Sequence, residues 1–234
     1  MSLTLLWSQS RGRVLDFFFP RWCLGCRQEG AFLCPSCLTR LPHLLPPLCP
    51  RCGQPQALES CPFCREWRLS IDAIRSPYRF EGVVRQAVVL FKYHNLRALS
   101  PTLAGLLKGY LDSHPLPFDA VLPVPLHPRR QRQRGYNQSG LLARELSRLV
   151  GMPVMDGAIK RVRATPPQAR AQGREERRGN VTSAFLCQER GLEGRNLLLV
   201  DDVCTTGATL DACAQALKKA GARAVLGLTL AREV

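Results

Sequence analysis

The stretch that decides the fold lies at positions 197–210 of this 234-residue chain and reads LLLVDDVCTTGATL. Its apolar start predicts a buried strand that ends in Asp201 and Asp202, and a loop of small residues then opens a helix up to Ala220. Such a loop can direct backbone N–H groups and hydroxyls at a phosphate, and the helix N-terminus adds partial positive charge. Three threonines supply the hydroxyls: Thr205, Thr206 and Thr209.

The two carboxylates lie where paired acceptors can take the 2′- and 3′-hydroxyls of a ribose. Gly207, followed by the small Ala208, permits a close backbone approach or a positive φ. The stretch therefore predicts one ligand that carries a phosphate close to a diol. The alternative is an ordinary strand–turn–helix with a capping threonine. The loop lacks the Gly-Lys-[Ser/Thr] ending of a Walker A motif, and no Gly-x-Gly-x-x-Gly follows a strand, so a dinucleotide site has no support.

Helical and strand-like patterns alternate from about residue 70 onward. Helical spacing of apolar residues occurs at Val84–Phe91, Leu99–Tyr110 and Leu142–Leu149. Short apolar runs that predict strands occur at Asp119–Pro125, Asn196–Val200 and Val225–Leu230. This alternation predicts an α/β domain with a mainly parallel sheet flanked by helices. The polar, arginine-rich residues 160–180 predict a long loop.

Eight of the 11 cysteines form four Cys-x-x-Cys pairs near the amino terminus. Two such turns complete the tetrahedral shell of one Zn²⁺, so four turns predict two closed, structural zinc sites. We assign one zinc to Cys23, Cys26, Cys34 and Cys37, and the other to Cys49, Cys52, Cys61 and Cys64. An interleaved grouping of the pairs stays open, as do redox or disulfide pairs and an iron–sulfur cluster.

The cysteine-rich segment is too small to bury a large core, and bound metal supplies the missing stability. The chain therefore divides into a double zinc-ribbon module at residues 1–68 and the α/β domain at residues 69–234. Three cysteines outside the pairs, Cys187, Cys204 and Cys213, are interpreted as buried small residues.

The chain is strongly basic, with 33 Lys and Arg against 18 Asp and Glu and a formal net charge of +15. Residues 119–180 hold much of this excess, in clusters around Arg129–Arg134 and Arg170–Arg178. Such clusters suit a phosphate backbone, and Tyr136 and Trp67 offer rings for base stacking. The alternative is a solvated face or a site for pyrophosphate alone.

No apolar run approaches the ~20 residues that a membrane-spanning helix needs. The amino terminus places Arg11 and Arg13 after its apolar patch rather than before it, which is the wrong order for a signal peptide. We therefore expect a cytoplasmic protein, and in that reducing compartment cysteine clusters favour metal over disulfides.

An ordered set of motifs runs along the chain: the Cys-x-x-Cys pairs, LFKY at 90–93, LPVPLHPRR at 122–130, RGYNQ at 134–138, TPPQ at 165–168 and the stretch at 197–210. The last of these looks like the phosphoribosyl-pyrophosphate (PRPP) motif. Together the motifs resemble the ComF family of competence-associated proteins, which couple a zinc ribbon to a type I phosphoribosyltransferase-like domain. The resemblance covers the chain from about Phe17 to its end.

The resemblance implies that Asp201 and Asp202 hold the ribose at the catalytic centre and that Thr205–Thr209 hold the 5′-phosphate. It also implies that Arg129 and Arg130 lie near the departing pyrophosphate, that Mg²⁺ accompanies PRPP, and that residues 161–180 form a closing loop. Lys92 matches a family position, but its spacing indicates no role.

Two functions follow as hypotheses. The protein transfers a phosphoribosyl group from PRPP to an unknown acceptor, or it is a non-catalytic protein that binds single-stranded nucleic acid with the same fold. The family resemblance implies a role in DNA uptake or DNA utilisation, and other DNA-uptake proteins are then possible partners.

Overall fold

The computed structural model describes residues 21–56, 61–162 and 184–234 of the chain. Within these ranges the helices are α1 (Pro35–Leu38), α2 (Pro62–Glu66), α3 (Gly82–Tyr93), α4 (Ser100–Ser113), α5 (Pro128–Arg134), α6 (Gln138–Val150) and α7 (Ala208–Lys219). The strands are β1 (Ala73–Arg75), β2 (Tyr78–Arg79), β3 (Ala120–Pro123), β4 (Ile159–Arg161), β5 (Phe185–Cys187), β6 (Asn196–Cys204) and β7 (Ala224–Arg232).

The main sheet is parallel throughout the described residues, as the alternation of helix and strand predicts. Strands β3, β6 and β7 lie side by side, and β1 and β2 pair in succession with the outer edge of β7. Strands β4 and β5 form a separate antiparallel pair. The predicted loop at 160–180 therefore begins later than expected, because Lys160 and Arg161 belong to β4. Residues 163–180 of that loop lie outside the described residues.

Both faces of β6 are buried, which explains its continuous apolar run. Leu197 and Leu199 face one core layer with α7, while Leu198 and Val200 face a second layer with α3, α4 and α6. Helix α3 contributes Val84, Ala87, Val88 and Phe91 to that second layer, at the spacing that the sequence indicates. The sheet thus has helices on both sides, and its carboxyl edge stays open for a ligand.

The described cysteines carry no disulfide, and the eight paired ones form two groups of four. The groups are Cys23, Cys26, Cys34 and Cys37, and Cys49, Cys52, Cys61 and Cys64, so the pairs combine sequentially and not in the interleaved way. Sulfur–sulfur distances of 3.5, 3.6 and 3.7 Å recur in these groups. A tetrahedral zinc with Zn–S bonds of about 2.3 Å requires sulfurs about 3.8 Å apart, so both groups fit structural zinc.

The second cysteine group packs directly against the sheet domain. Cys49, Cys52 and Cys61 lie in the same buried core as Ile74 of β1, and the backbone N–H of Ile74 donates to the Arg51 carbonyl at 2.8 Å. Gly53, with φ +73°, leaves room for this contact, because a Cβ there lies 2.5 Å from the Ile74 carbonyl oxygen. The domain boundary after residue 68 stays a prediction, since the buried core runs across it.

Loss of the second zinc site is expected to destabilise the chain more than loss of the first. Cys52→Ala removes a fully buried ligand from the shared core, whereas Cys26→Ala removes an exposed one. We expect each variant to bind one zinc fewer than the wild type, and Cys52→Ala to lose more than about 3 kcal/mol of unfolding free energy. Metal analysis and denaturant unfolding measure both quantities. Equal destabilisation by the two variants contradicts the shared core, and unchanged zinc content contradicts the ligand assignment.

Candidate functional site

A cavity of about 560 Å³ opens at the carboxyl ends of β3 and β6. This is the edge of a parallel sheet where ligands of α/β domains bind. Its polar lining comes from Lys92, Arg130, Arg134, Gln138, Ser139, Arg161, Asp201, Asp202, Thr205, Thr209 and Glu233. The two carboxylates and the threonine loop, which form the two ends of the predicted phosphate motif, therefore line the same cavity.

The two carboxylates lie within strand β6 rather than at its end. Strand β6 continues to Cys204, four residues beyond the predicted end at Val200, because it pairs with β7 as far as Arg232. Successive side chains of a strand point to opposite faces, so Asp201 and Asp202 meet different neighbours although both line the cavity.

Asp201 is held from helix α6 and from its own strand. Its Oδ1 accepts hydrogen bonds from the Ser139 hydroxyl at 2.6 Å and from the Asp202 backbone N–H at 2.9 Å. Burial and then the negative charge of Asp202 raise the pKa of Asp201 to about 7, although the Ser139 hydrogen bond and the charge of Lys92 oppose the rise. A ligand that supplies hydroxyl donors or positive charge lowers the free-energy cost of ionising Asp201.

Asp202 is 2% exposed and forms an ion pair with Lys92. The Lys92 Nζ lies 2.7 Å from Asp202 Oδ1, while Oδ2 is buried without a hydrogen-bond partner among the described residues. Burial lowers the pKa of Lys92, but the charge of Asp202 and the hydrogen bond to it outweigh burial, so the net pKa is raised. The ammonium group is therefore charged at neutral pH.

The predicted phosphate loop precedes α7 with a left-handed glycine. Gly207 has φ +82°, and a Cβ there would lie 2.8 Å from Cδ1 of Ile74, so a larger residue would strain the backbone and would have to displace that methyl group. Thr205, Gly207 and Thr209 line the cavity, whereas the Thr206 hydroxyl turns back to accept from the Ala208 N–H at 3.4 Å. The first N–H groups of α7 have no partners within the helix, as a phosphate site requires.

A buried cation lies behind the loop. Cys204 is 2% exposed, and its Sγ accepts from Nη1 of the fully buried Arg232 at 2.7 Å. Burial raises the pKa of the Cys204 thiol in spite of Arg232, so this cysteine packs between strand and helix as expected. Cys213 is buried as expected too, but the prediction for Cys187 is wrong, because it lies half-exposed on the two-stranded ribbon.

Of the two predicted pyrophosphate arginines, Arg130 lines the cavity and Arg129 does not. The segment after Pro125 is also less loop-like than expected, because α5 begins at Pro128. His127 caps that helix, because its Nδ1 accepts from the Arg129 backbone N–H at 3.3 Å. Sequence reasoning missed Arg134 and Arg161 as cavity residues, since nothing in their spacing distinguishes them from other arginines.

Neither aromatic ring that the sequence offers for base stacking is free of contacts within the chain. Tyr136 is buried, its hydroxyl donates to the Phe91 carbonyl, and the Arg97 guanidinium lies 4.6 Å from its ring centre. Trp67 packs edge-on against Phe63, with ring centroids 4.8 Å apart. Lys92, which sequence reasoning could place in the LFKY motif but not explain, becomes a central residue instead.

We expect Asp201→Asn to stabilise the chain at pH 8 by about 2 kcal/mol. Because the folded-state pKa of Asp201 is raised from 3.8 to about 7, the folded protein binds the proton more tightly than the unfolded chain. The wild type therefore loses stability from this group as pH rises from about 4 to 7, and the variant does not. Urea unfolding of both proteins at pH 5 and pH 8 measures the difference. An equal effect at both pH values contradicts the assignment.

Comparison with known proteins matches both parts of the chain. A family model described as double zinc ribbon domain covers residues 14–68, and one described as phosphoribosyl transferase domain covers residues 135–232. A glutamine PRPP amidotransferase from B. subtilis is 20% identical, with a TM-score of 0.37, over 56% of this chain and 26% of that one. The fold assignment rests on the domain matches and the parallel sheet.

Several relatives match most of the chain. Competence protein F of Haemophilus influenzae is 32% identical over 94% of this chain and 100% of its own length. Competence protein ComFC of Bacillus subtilis is 30% identical over 86% of this chain and 84% of its own length. The DNA utilization protein YhgH of Escherichia coli K12 is 31% identical over 88% of this chain and 94% of its own length. Agreement of this extent, across the zinc ribbon and the phosphoribosyltransferase domain together, shows that the chain belongs to the ComF family.

Proposed function

We propose that this protein binds PRPP in the cavity at the carboxyl edge of its sheet and acts in DNA uptake or DNA utilisation. The observation that carries the proposal is the meeting, in one cavity, of a helix N-terminal loop with a pair of adjacent carboxylates. The names of the relatives from H. influenzae, B. subtilis and E. coli support the biological role.

Each part of PRPP has a matching part of the cavity. The 5′-phosphate lies against the loop of Thr205, Gly207 and Thr209, where N–H groups and hydroxyls converge. The ribose hydroxyls donate to Asp201 and Asp202. The pyrophosphate meets a wall of arginines, since a polyanion needs cations that keep their charge when partly buried. This wall comprises Arg130, Arg134 and Arg161.

Mg²⁺ fits this site as a companion of the ligand. It supplies positive charge that neutralises the pyrophosphate as a leaving group. The Oδ2 of Asp202, which has no hydrogen-bond partner among the described residues, and the raised pKa of Asp201 favour a ligand that donates hydroxyls to this pair and brings its own metal. Asp201 and Asp202 orient the ribose hydroxyls beside it.

In the transferase version of this function, an acceptor attacks ribose C1 and pyrophosphate departs. The chain needs no nucleophile of its own for this step, because positioning and electrostatic stabilisation carry most of the catalysis. The loop holds the 5′-phosphate, the carboxylates orient the ring, and the arginines stabilise the departing charge. The acceptor reaches C1 from the open side of the cavity.

Calorimetric titration of PRPP with Mg²⁺ tests the proposal. We expect the double variant Asp201→Asn/Asp202→Asn to weaken binding at least ten-fold, because the ribose loses charged acceptors. Asp112→Asn is the matched control, since Asp112 lies on α4 in an exposed pair with Lys108. Failure of zinc-loaded wild type to bind PRPP, or equal binding by the double variant, contradicts the proposed site.

Single-stranded DNA binding is the second candidate, and the basic surface favours it. Arg129 and Arg132 are exposed on α5, close to the cavity, and the chain carries a net charge of +15. Contacts to a phosphate backbone need such exposed cations and no base-specific geometry. Residues 170–178, which hold the other arginine cluster, lie outside the described residues.

Fluorescence anisotropy with a labelled single strand tests this candidate. We expect Arg129→Gln/Arg132→Gln to weaken DNA binding and to flatten its salt dependence, because two phosphate contacts are lost. Arg85→Gln/Arg148→Gln removes the same charge from exposed positions on α3 and α6 and serves as control. Equal losses in both double variants point to a diffuse charge effect and contradict a site on α5.

A further inference from the structure

Lys92 reaches the carboxylate pair from a separate element of the fold. It lies in the last turn of α3, whose Val88 and Phe91 are buried against the sheet and fix the position of the helix. Its Nζ lies 2.7 Å from Asp202 Oδ1, and the side chains of Lys92 and Asp202 are 19% and 3% exposed. The ion pair is therefore mostly shielded from solvent and rigidly supported from the helix side.

Lys92 offsets part of the negative charge of the pair, in a cavity that Arg130, Arg134 and Arg161 also line. The adjacent carboxylates of the partly buried Asp201 and the buried Asp202 repel each other, and burial of unpaired charge is costly. Proteins meet this cost with a bound cation or with a cationic side chain. Here the ammonium group of Lys92 forms an ion pair with one oxygen of Asp202. The Ser139 hydroxyl and the Asp202 backbone N–H donate hydrogen bonds to one oxygen of Asp201.

We propose that Lys92 is the resident counter-cation of Asp201 and Asp202, and that it keeps divalent cations off this pair while no ligand is bound. The pair is thereby reserved for neutral hydroxyl donors. This inference depends on the proposed function at one point only, which is that the hydroxyl donors are the diol of a pentose phosphate. Any metal then enters on the ligand's pyrophosphate and not on the empty protein.

The coordination chemistry supports this division. Mg²⁺ requires near-octahedral oxygen ligands at about 2.0–2.1 Å, and an ammonium group already in contact with a carboxylate oxygen opposes a second cation there. A hydroxyl group needs only one acceptor oxygen, and it can bind without displacing the ammonium group of Lys92. The buried Oδ2 of Asp202, which has no hydrogen-bond partner in the described part of the chain, is such an acceptor.

A titration of the zinc-loaded protein with Mn²⁺, in the absence of PRPP, tests this role. The electron paramagnetic resonance signal of unbound Mn²⁺ measures how much of the metal has bound. Lys92→Met keeps the length of the side chain and removes its charge. We expect this variant to gain one Mn²⁺ site at least ten-fold tighter than any in the wild type, and to lose it again when Asp202→Asn is added. Lys92→Arg keeps the charge and should exclude Mn²⁺ as the wild type does.

Lys108→Met is the matched control, because Lys108 forms a comparable but exposed pair with Asp112. It should gain no Mn²⁺ site, whereas a purely structural role for Lys92 predicts no gain in either variant. The proposal is overturned if Lys92→Met gains no site. It is also overturned if wild-type protein binds Mn²⁺ at a site that Asp202→Asn abolishes, a comparison that does not need Lys92→Met to fold. Because PRPP is absent, the result is independent of whether PRPP binds.

Discussion

The partly buried Asp201 and the buried Asp202 on the central strand are the constraint around which the rest of this structure is arranged. Charges shielded from solvent must be matched by polar partners, and the strand itself supplies only the Asp202 backbone N–H, which donates to Asp201 Oδ1. Helix α3 therefore brings Lys92 to Asp202, and helix α6 brings Ser139 to Asp201. The sheet and its helices hold the acidic pair at the place where a ligand can enter.

The same strand couples the carboxylates to the phosphate loop. Strand β6 stays paired with β7 up to Cys204, so the loop starts only after two further residues and lies beside the acidic pair. Gly207 then turns the chain into α7 against Ile74, where a Cβ would crowd the Ile74 Cδ1 methyl group. Acid pair, loop and helix N-terminus thus share one rigid segment, which suits a ligand with a fixed distance between its diol and its phosphate.

The cysteine groups stabilise a segment that has little core of its own, and the second group joins the main core. Cys52 is fully buried and lies in the same apolar cluster as Ile74, the residue that also packs against Gly207. A contiguous set of packed side chains therefore runs from the second cysteine group to the phosphate loop. The cysteines of the first group do not belong to this cluster, and Cys26 is exposed to solvent.

Much of this protein could be predicted from its sequence, because the signals are local. Four Cys-x-x-Cys pairs indicate metal through their spacing, the apolar runs indicate parallel strands, and the DDVCTTGAT segment at 201–209 indicates a phosphate site through its own residues. Lys92, Ser139 and Arg161 gave no such signal, since each is an ordinary residue in its own segment. The burial of Tyr136 and the partial exposure of Cys187 gave no local signal either, because burial depends on contacts with other elements.

The sequence by itself predicted a cysteine-rich part, an α/β part and the residues of a phosphate motif from spacing within short segments, and its ordered motifs resembled the ComF family. Only the tertiary structure decided that the cysteine pairs combine sequentially, that Arg130 rather than Arg129 faces the cavity, and that Lys92 stands on Asp202. Each of these depends on contacts between residues distant in the chain, and pairings of that kind are set by the packing of whole helices and strands, which no local pattern encodes.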